Sequence, residues 1–203
     1  MNIVCFGDSI THARPFAESD RWPTILQFKL DAWKPSAFKV FNQGIGGNTT
    51  SQGFDRIATD VLPHMPGLTL IEYGFNDANV RDWARVARVS LAEFERNLRE
   101  FHRAVKAAKG RCAFIVNHLV TGGPKQGNGK AYMANFKPYQ NRIRAVAASL
   151  RAPLIDLPAM MKARKVDLKA FLNPNDGLHL SPEGNHIYAE MVFDALRGQK
   201  LVK

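Results

Sequence analysis

Cysteine is scarce in this chain, two in 203 residues. Cys5 and Cys112 both sit inside apolar runs, with no C-x-x-C and no metal-ligand spacing near them. They read as small buried thiols. Long hydrophobic runs are absent as well. The first apolar stretch, Ile3–Phe6, falls short of the roughly 7–15 residues of a secretory leader. The longest later one, Cys112–Val116, falls far short of the roughly 20 residues of a membrane-spanning helix. A cytoplasmic protein with no membrane span is the expectation, and outside a secretory route the Asn48-Thr49-Thr50 sequon carries no weight. There is no internal repeat and no interdomain linker, so residues 1–203 are expected to form one domain.

What is present is an ordinary globular composition, 45% hydrophobic and 23% charged, which excludes a disordered or collagen-like chain. Lysine and arginine outnumber aspartate and glutamate by 28 to 18, a net charge of +10. That balance leans toward an anionic substrate. The short basic clusters, Lys106–Arg111 and Lys162–Lys165, come with no recognition motif. Nucleic acid is therefore not expected as a partner.

Apolar runs too short for helices recur at Ile3–Phe6, Lys39–Phe41, Leu68–Tyr73, Cys112–Val116 and Pro153–Asp156. They lack polar alternation, which predicts strands buried on both faces. Helical periodicity fills the gaps over Trp22–Trp33, Gln52–Leu62, Leu91–Lys109 and Tyr139–Leu150. Strand and helix alternate, so a parallel sheet with right-handed crossovers is predicted. Ser90-Leu91-Ala92-Glu93 matches a capping box, and Gly110 supplies a stop for that helix. Ser181-Pro182-Glu183 starts a last helix running to about Leu196. Thr121–Phe136, with four glycines and a proline, reads as a flexible loop and as the place where substrate specificity resides.

Ligands of open parallel sheets bind beyond the carboxyl ends of the strands. The residues following each apolar run are therefore the ones to read for chemistry. Gly7-Asp8-Ser9 follows the first, Asn42 to Thr49 the second, and Gly74-Phe75-Asn76-Asp77 the third. Asp176-Gly177-Leu178-His179 precedes the last helix. A serine becomes a nucleophile when a histidine takes its proton, an acid fixes the histidine tautomer and donors hold the developing oxyanion. Ser9, His179 and Asp176 supply those parts, with Asp176 one local turn from His179 and Asp8 holding the turn before Ser9. Donors are available from the Ser9 N–H, a backbone N–H of the glycine loop and the Asn76 amide. His118, after the fourth strand, faces the same edge and is a candidate for lining the pocket. No histidine pair stands at metal-binding spacing, so no metal is expected.

Four of these stretches, in order, resemble the signature blocks of the GDSL or SGNH hydrolases: FGDSIT, NQGIGGNTT, YGFND and DGLHLSPEG, spanning residues 6 to 184. The resemblance implies a three-layer α/β/α sandwich with a five-stranded parallel sheet, flavodoxin-like, in which no cofactor is used. It further implies ester or thioester hydrolysis through an acyl-serine. Ser9 is then the nucleophile, His179 the base and Asp176 its orienting acid, and Ser9, Gly47 and Asn76 form the oxyanion hole. Among the loop glycines the resemblance selects Gly47, which precedes Asn48-Thr49. The chain departs from the family at Ala13, where many members carry glycine, and at Phe75, where many carry a small or hydroxyl residue. Phe75 either packs in the core or narrows the pocket.

Other motifs fail. There is no G-x-S-x-G, because Thr11 occupies the second glycine position, and Gly44-x-Gly46 does not complete a dinucleotide fingerprint or lead to a P-loop lysine. The expected partner is a small ester, with acetylated sugars, lysophospholipids, short-chain esters and acyl thioesters all open. A silent polyanion-binding module on the same scaffold is the alternative, and oligomeric state is not legible.

Overall fold

The computed structural model describes residues 1–14, 16–121 and 125–203. Five strands, β1 (Asn2–Gly7), β2 (Lys39–Gly44), β3 (Gly67–Glu72), β4 (Arg111–Val116) and β5 (Leu154–Asp156), pair in parallel. Their order is β2-β1-β3-β4-β5, the flavodoxin-like order expected. The helices are α1 (Ser9–His12), α2 (Trp22–Trp33), α3 (Thr50–Asp60), α4 (Phe75–Ala78), α5 (Leu91–Ala107), α6 (Tyr132–Leu150), α7 (Leu157–Arg164), α8 (Leu168–Phe171) and α9 (Pro182–Gly198). On one side of the sheet α2 packs against α9; on the other α3, α5 and α6 lie in a row. A three-layer α/β/α sandwich results.

The central strands are apolar because both their faces are covered. From Ile3 onward β1 is fully buried, as is all of β3 and all of β4 after Arg111. Phe6 packs edge-on against Tyr73 and Phe101 at 5.3 and 5.4 Å, geometry that suits the ring quadrupoles. Cys5 and Cys112 are free and buried, and burial pushes the Cys112 thiol up to about 12.

Strand β2 departs from the expectation of burial on both faces: as the sheet edge it is half exposed. The Gln27 side chain covers part of that edge, accepting from the Val40 N–H at 2.7 Å and donating to the Phe38 carbonyl at 3.1 Å. A paired edge is a blunted one.

Two further differences concern helices. The Thr121–Phe136 segment is not loop throughout: α6 begins at Tyr132 and runs through Pro138. Tertiary contacts hold this first part, since the Tyr132 hydroxyl donates to the Phe75 carbonyl at 3.0 Å and Phe136 stacks on Phe75 at 4.5 Å. Proline and nearby glycines hide that helix from a periodicity reading. Gly122–Pro124 of the segment lie outside the described residues. At Ser90 the capping box is half formed. Ser90 accepts from the Glu93 N–H at 3.2 Å, but the Glu93 carboxylate turns to the Ser51 hydroxyl at 2.9 Å. The reciprocal box is at Thr49 and Gln52, opening α3.

Register places the site. Gly7 lies opposite Gly44 on one side and Glu72 on the other, so β1, β2 and β3 end level. The chain leaves β1 outward to β2 and crosses back to β3, which makes the β1/β3 boundary the switch point where such sheets open a crevice.

Candidate active site

Ser9 leaves the sheet through a turn with no room for a side chain at Gly7. A Cβ there would stand 2.2 Å from Thr11 Oγ1 and 2.6 Å from the Glu72 carbonyl oxygen. Asp8, fully buried, caps α1 by accepting the Ile10 N–H at 2.9 Å. Ser9 is thereby the first residue of a short helix, and its hydroxyl lies 2.9 Å from His179 Nε2.

The histidine sits in a turn built by one carboxylate. Asp176 Oδ1 accepts the N–H groups of Leu178 and His179, each at 2.9 Å. Its other oxygen faces the ring Nδ1 at 2.7 Å. Burial raises the Asp176 carboxyl, but these backbone donors and the ring outweigh it and hold the group below its ordinary value. Gly177 (φ +60°) lets the turn reverse, and its carbonyl accepts the Thr121 N–H at 3.1 Å. A hydroxyl, an imidazole and a carboxylate in series can pass the serine proton to the ring and hold the imidazolium that forms.

His118 does not line the crevice. It is fully buried, and that burial pulls it down to about 4, so the ring is neutral. Nε2 donates to the Leu178 carbonyl at 2.8 Å, which anchors the Asp176–His179 turn from beneath. Phe75 resolves the same way: it is core, stacked between Phe136 and the edge of His118.

Of the loop glycines, Gly44 is pressed against the backbone, with a Cβ position 2.1 Å from the His12 nitrogen. Gly46 faces Ser9, its Cβ position 3.9 Å from Ser9 Cβ, and Gly47 turns in the left-handed region at φ +77° with open space around it. Neither the Ser9 N–H nor the Gly47 N–H meets an acceptor among the described residues. Asn76 Nδ2 donates to Asp8 Oδ2 at 3.1 Å, and its second hydrogen meets no acceptor among the described residues. The loop is tied to this turn through Asp77, whose carboxylate accepts both the N–H and the hydroxyl of Thr50.

Three residues at the site have no role in the sequence reading. Glu72, the last residue of β3, accepts from Thr11 Oγ1 at 2.9 Å and from the Asn117 amide. Burial pushes it up to about 7, with the hydrogen bonds from Thr11 and Asn117 among those opposing the rise. The buried Asp8 beside it is raised well above the usual carboxylate range by desolvation and then by the Glu72 charge. An acid closing an otherwise apolar run is the one signal that marks Glu72.

Arg56 of α3 gives all five of its donors. It reaches the Gly7 carbonyl (2.9 Å), the Tyr73 hydroxyl (2.7 Å), the Gln43 carbonyl (3.0 Å), Asn48 Oδ1 (2.9 Å) and Asp60 (2.8 Å). The third is Arg88, whose Nη1 donates to the Gly47 carbonyl at 3.0 Å and to Asn76 Oδ1 at 3.2 Å. Neither arginine carries a local sequence signal.

A cavity of about 400 Å³ opens beside Asp176 and His179, lined among others by Val80, Arg81, Lys125, Tyr132 and Leu178. Two of its cations thus come from the loop after Asn76 and from the Thr121–Phe136 segment. Among the described residues no group of three metal-ligating side chains occurs, and no helix is long and apolar enough to cross a membrane.

Known proteins resemble this chain along most of its length. The chain is 26% identical to the Escherichia coli protein named thioesterase 1/protease 1/lysophospholipase L1, covering 96% of this chain and 83% of that one. It is 27% identical to the mouse isoamyl acetate-hydrolyzing esterase 1 homolog, over 90% of this chain and 76% of that one. In fold it is similar to the lipase/acylhydrolase from Enterococcus faecalis, with a TM-score of 0.80, 24% identity and coverage of 98% and 96% of the two chains. The profile of the GDSL-like lipase/acylhydrolase family matches residues 5–187, so the chain belongs to that family and is an ester hydrolase of the GDSL type.

Proposed function

We propose that the protein cleaves short-chain acyl or acetyl esters through an acyl-serine formed on Ser9. The observation that carries this reading is the unbroken series Ser9 Oγ, His179 Nε2, His179 Nδ1 and Asp176 Oδ2, with contacts of 2.9 and 2.7 Å. His179 takes the Ser9 proton as the oxygen attacks the carbonyl carbon. The oxyanion is held by the N–H groups of Ser9 and Gly47 and by the second Asn76 Nδ2 hydrogen. The imidazolium returns its proton to the departing alkoxide, leaving the acyl group on Ser9. A water deprotonated by His179 then attacks that ester, and collapse of the second tetrahedral species releases the acid and restores the Ser9 hydroxyl.

The cavity of about 400 Å³ supports a short acyl group or a small alcohol; Arg81 and Lys125 at its wall are balanced by the carboxylates of Asp82 and Asp176, so its lining does not favour a charged substrate of either sign. The relatives' names, a thioesterase and lysophospholipase in one case and an isoamyl acetate esterase in the other, bracket the class of bond.

Ser9→Ala tests the reading. Turnover of p-nitrophenyl acetate is expected to fall by at least about 10³-fold, and a fluorophosphonate probe is expected to label the wild type but not the variant. A variant with undiminished turnover overturns the assignment. An unreactive wild-type serine with salt-sensitive polyanion binding supports a silent binding module instead.

A further inference from the structure

We propose that Arg88 is a positioning residue that fixes the orientation of both non-serine oxyanion donors; the inference rests on the functional reading above. The loop from Asn79 to Arg88 folds back on the turn that carries Asn76. The Arg88 N–H donates to the Asn79 carbonyl at 3.0 Å and the Val89 N–H to the Asp77 carbonyl at 3.2 Å. This closure brings the guanidinium across the Asn76 side chain. There a single nitrogen, Nη1, bonds Asn76 Oδ1 at 3.2 Å and the Gly47 carbonyl at 3.0 Å, while Nη2 reaches Gln52 Oε1 at 3.5 Å.

Every partner is a neutral oxygen, and among the described residues no carboxylate lies within ion-pair distance of Arg88. The cation is therefore not consumed by a salt bridge.

The need for such a residue follows from the chemistry of an amide. A side-chain amide has a donor end and an acceptor end of nearly equal shape, and turned through half a revolution Asn76 would aim an oxygen at the oxyanion instead of an N–H. Its other neighbour, the Asp8 carboxyl, does not settle the choice. Burial keeps that group toward its neutral form, which accepts a hydrogen bond as readily as it donates one. A guanidinium has donors alone, so Arg88 demands the amide oxygen and leaves Nδ2 for Asp8 and the oxyanion. The same nitrogen holds the carbonyl of Gly47, whose left-handed backbone (φ +77°) sets the direction of its own N–H. One nitrogen thus sets two donors that arrive from different strand ends.

The test is a set of variants assayed on p-nitrophenyl acetate. Arg88→Ala is expected to lower kcat by at least about tenfold with KM within about threefold, because a misdirected donor is felt chiefly in the transition state. Arg88→Lys, which keeps a donors-only nitrogen but loses the planar head and the Nη2 contact to Gln52 that aim it, is expected to recover only part of the loss. On top of Asn76→Ala, removing Arg88 is expected to cost less than it does in the wild type, because only its hold on Gly47 is then left to lose. Thermal unfolding accompanies each variant; should Arg88→Ala fail to fold, Arg88→Gln carries the same kcat and KM comparison.

Unchanged kcat, a loss confined to KM, or full multiplicative loss in the Asn76→Ala background each overturns the inference, the second by making Arg88 a substrate-binding group. Ser9→Ala on the same substrate separates the two levels. An active Ser9→Ala overturns the functional reading and this inference together. An inactive one with an unimpaired Arg88→Ala overturns this inference alone.

Discussion

Asp176 holds His179 twice, by its backbone N–H at 2.9 Å through Oδ1 and by its ring Nδ1 at 2.7 Å through Oδ2. The two oxygens have separable tasks, and Asp176→Asn divides them. Asparagine keeps an oxygen for the backbone donors but presents an N–H to Nδ1, which forces the proton onto Nε2, where it can no longer accept from Ser9. We expect kcat to fall by about 10³- to 10⁴-fold while the thermal midpoint moves by a few degrees at most. Equal losses of activity and stability would show instead that the residue acts through the turn alone.

The buried Glu72 makes stability depend on pH with a sign opposite to that of an ordinary paired carboxylate. Its folded value, about 7, lies above the ordinary 4.5. The unfolded chain therefore releases this proton first as pH rises. The group's contribution is complete below pH 4.5, declines up to about 7, and is flat above it.

Glu72→Gln removes that dependence. The amide oxygen can still accept from Thr11, and its nitrogen can donate to Asn117 Oδ1, which has no partner among the described residues. Urea midpoints of variant and wild type are expected to coincide near pH 4 and to separate toward pH 7, with the variant more stable. A constant offset across that range would contradict the account.

Arg56 is the hub of the site's scaffold, since its guanidinium ties the ends of β1 and β2 to Tyr73 and to the glycine loop. Its side chain is 12% exposed, so water replaces few of these bonds when they are lost. Arg56→Lys keeps the charge with three donors on one atom, which cannot reach five acceptors spread around a plane. We expect a loss of about 3 kcal/mol, seen as a fall of roughly 6–12 °C in Tm. A change below about 2 °C would mean that the network contributes little.

Much of the candidate site was legible in the sequence because its groups stand directly after apolar runs or in the turn before the last helix. Ser9, Asn76 and the Asp176–His179 pair each stand at a strand end or in a short turn, where residue type and position carry the argument together. Arg56, Arg88 and Glu72 were not legible, because what they do is defined by contacts made across distance: Arg88 meets Gly47 from 41 positions away and Arg56 meets Gly7 from 49. Arginines on a helix and in a loop carry no local mark of that. The fold shows the same division. Helix α2 is read to the residue, since its pattern is intrinsic, whereas the first turns of α6 depend on Phe75 and the half-exposed face of β2 depends on its being an edge.

Gly44 at the end of β2 and Gly46 and Gly47 in the loop that follows give a last prediction, because each lacks a side chain for a different reason. A Cβ at Gly44 would lie 2.1 Å from the His12 nitrogen and 2.6 Å from the Thr11 carbonyl carbon. Both are backbone atoms of the helix that carries Ser9, and neither can yield without moving it. Gly44→Ala is expected to cost at least about 3 kcal/mol. At Gly46 the nearest atoms are at 3.9 Å, ordinary contact, so Gly46→Ala should stay within about 0.5 kcal/mol of wild type. Gly47 has open space but φ +77°, and alanine there bears about 1–2 kcal/mol of left-handed strain. Urea midpoints of the three variants are therefore expected in the order Gly46→Ala, Gly47→Ala, Gly44→Ala, highest first. Any other order would mean that the loop's path, rather than the space beside it, decides which glycine the site requires.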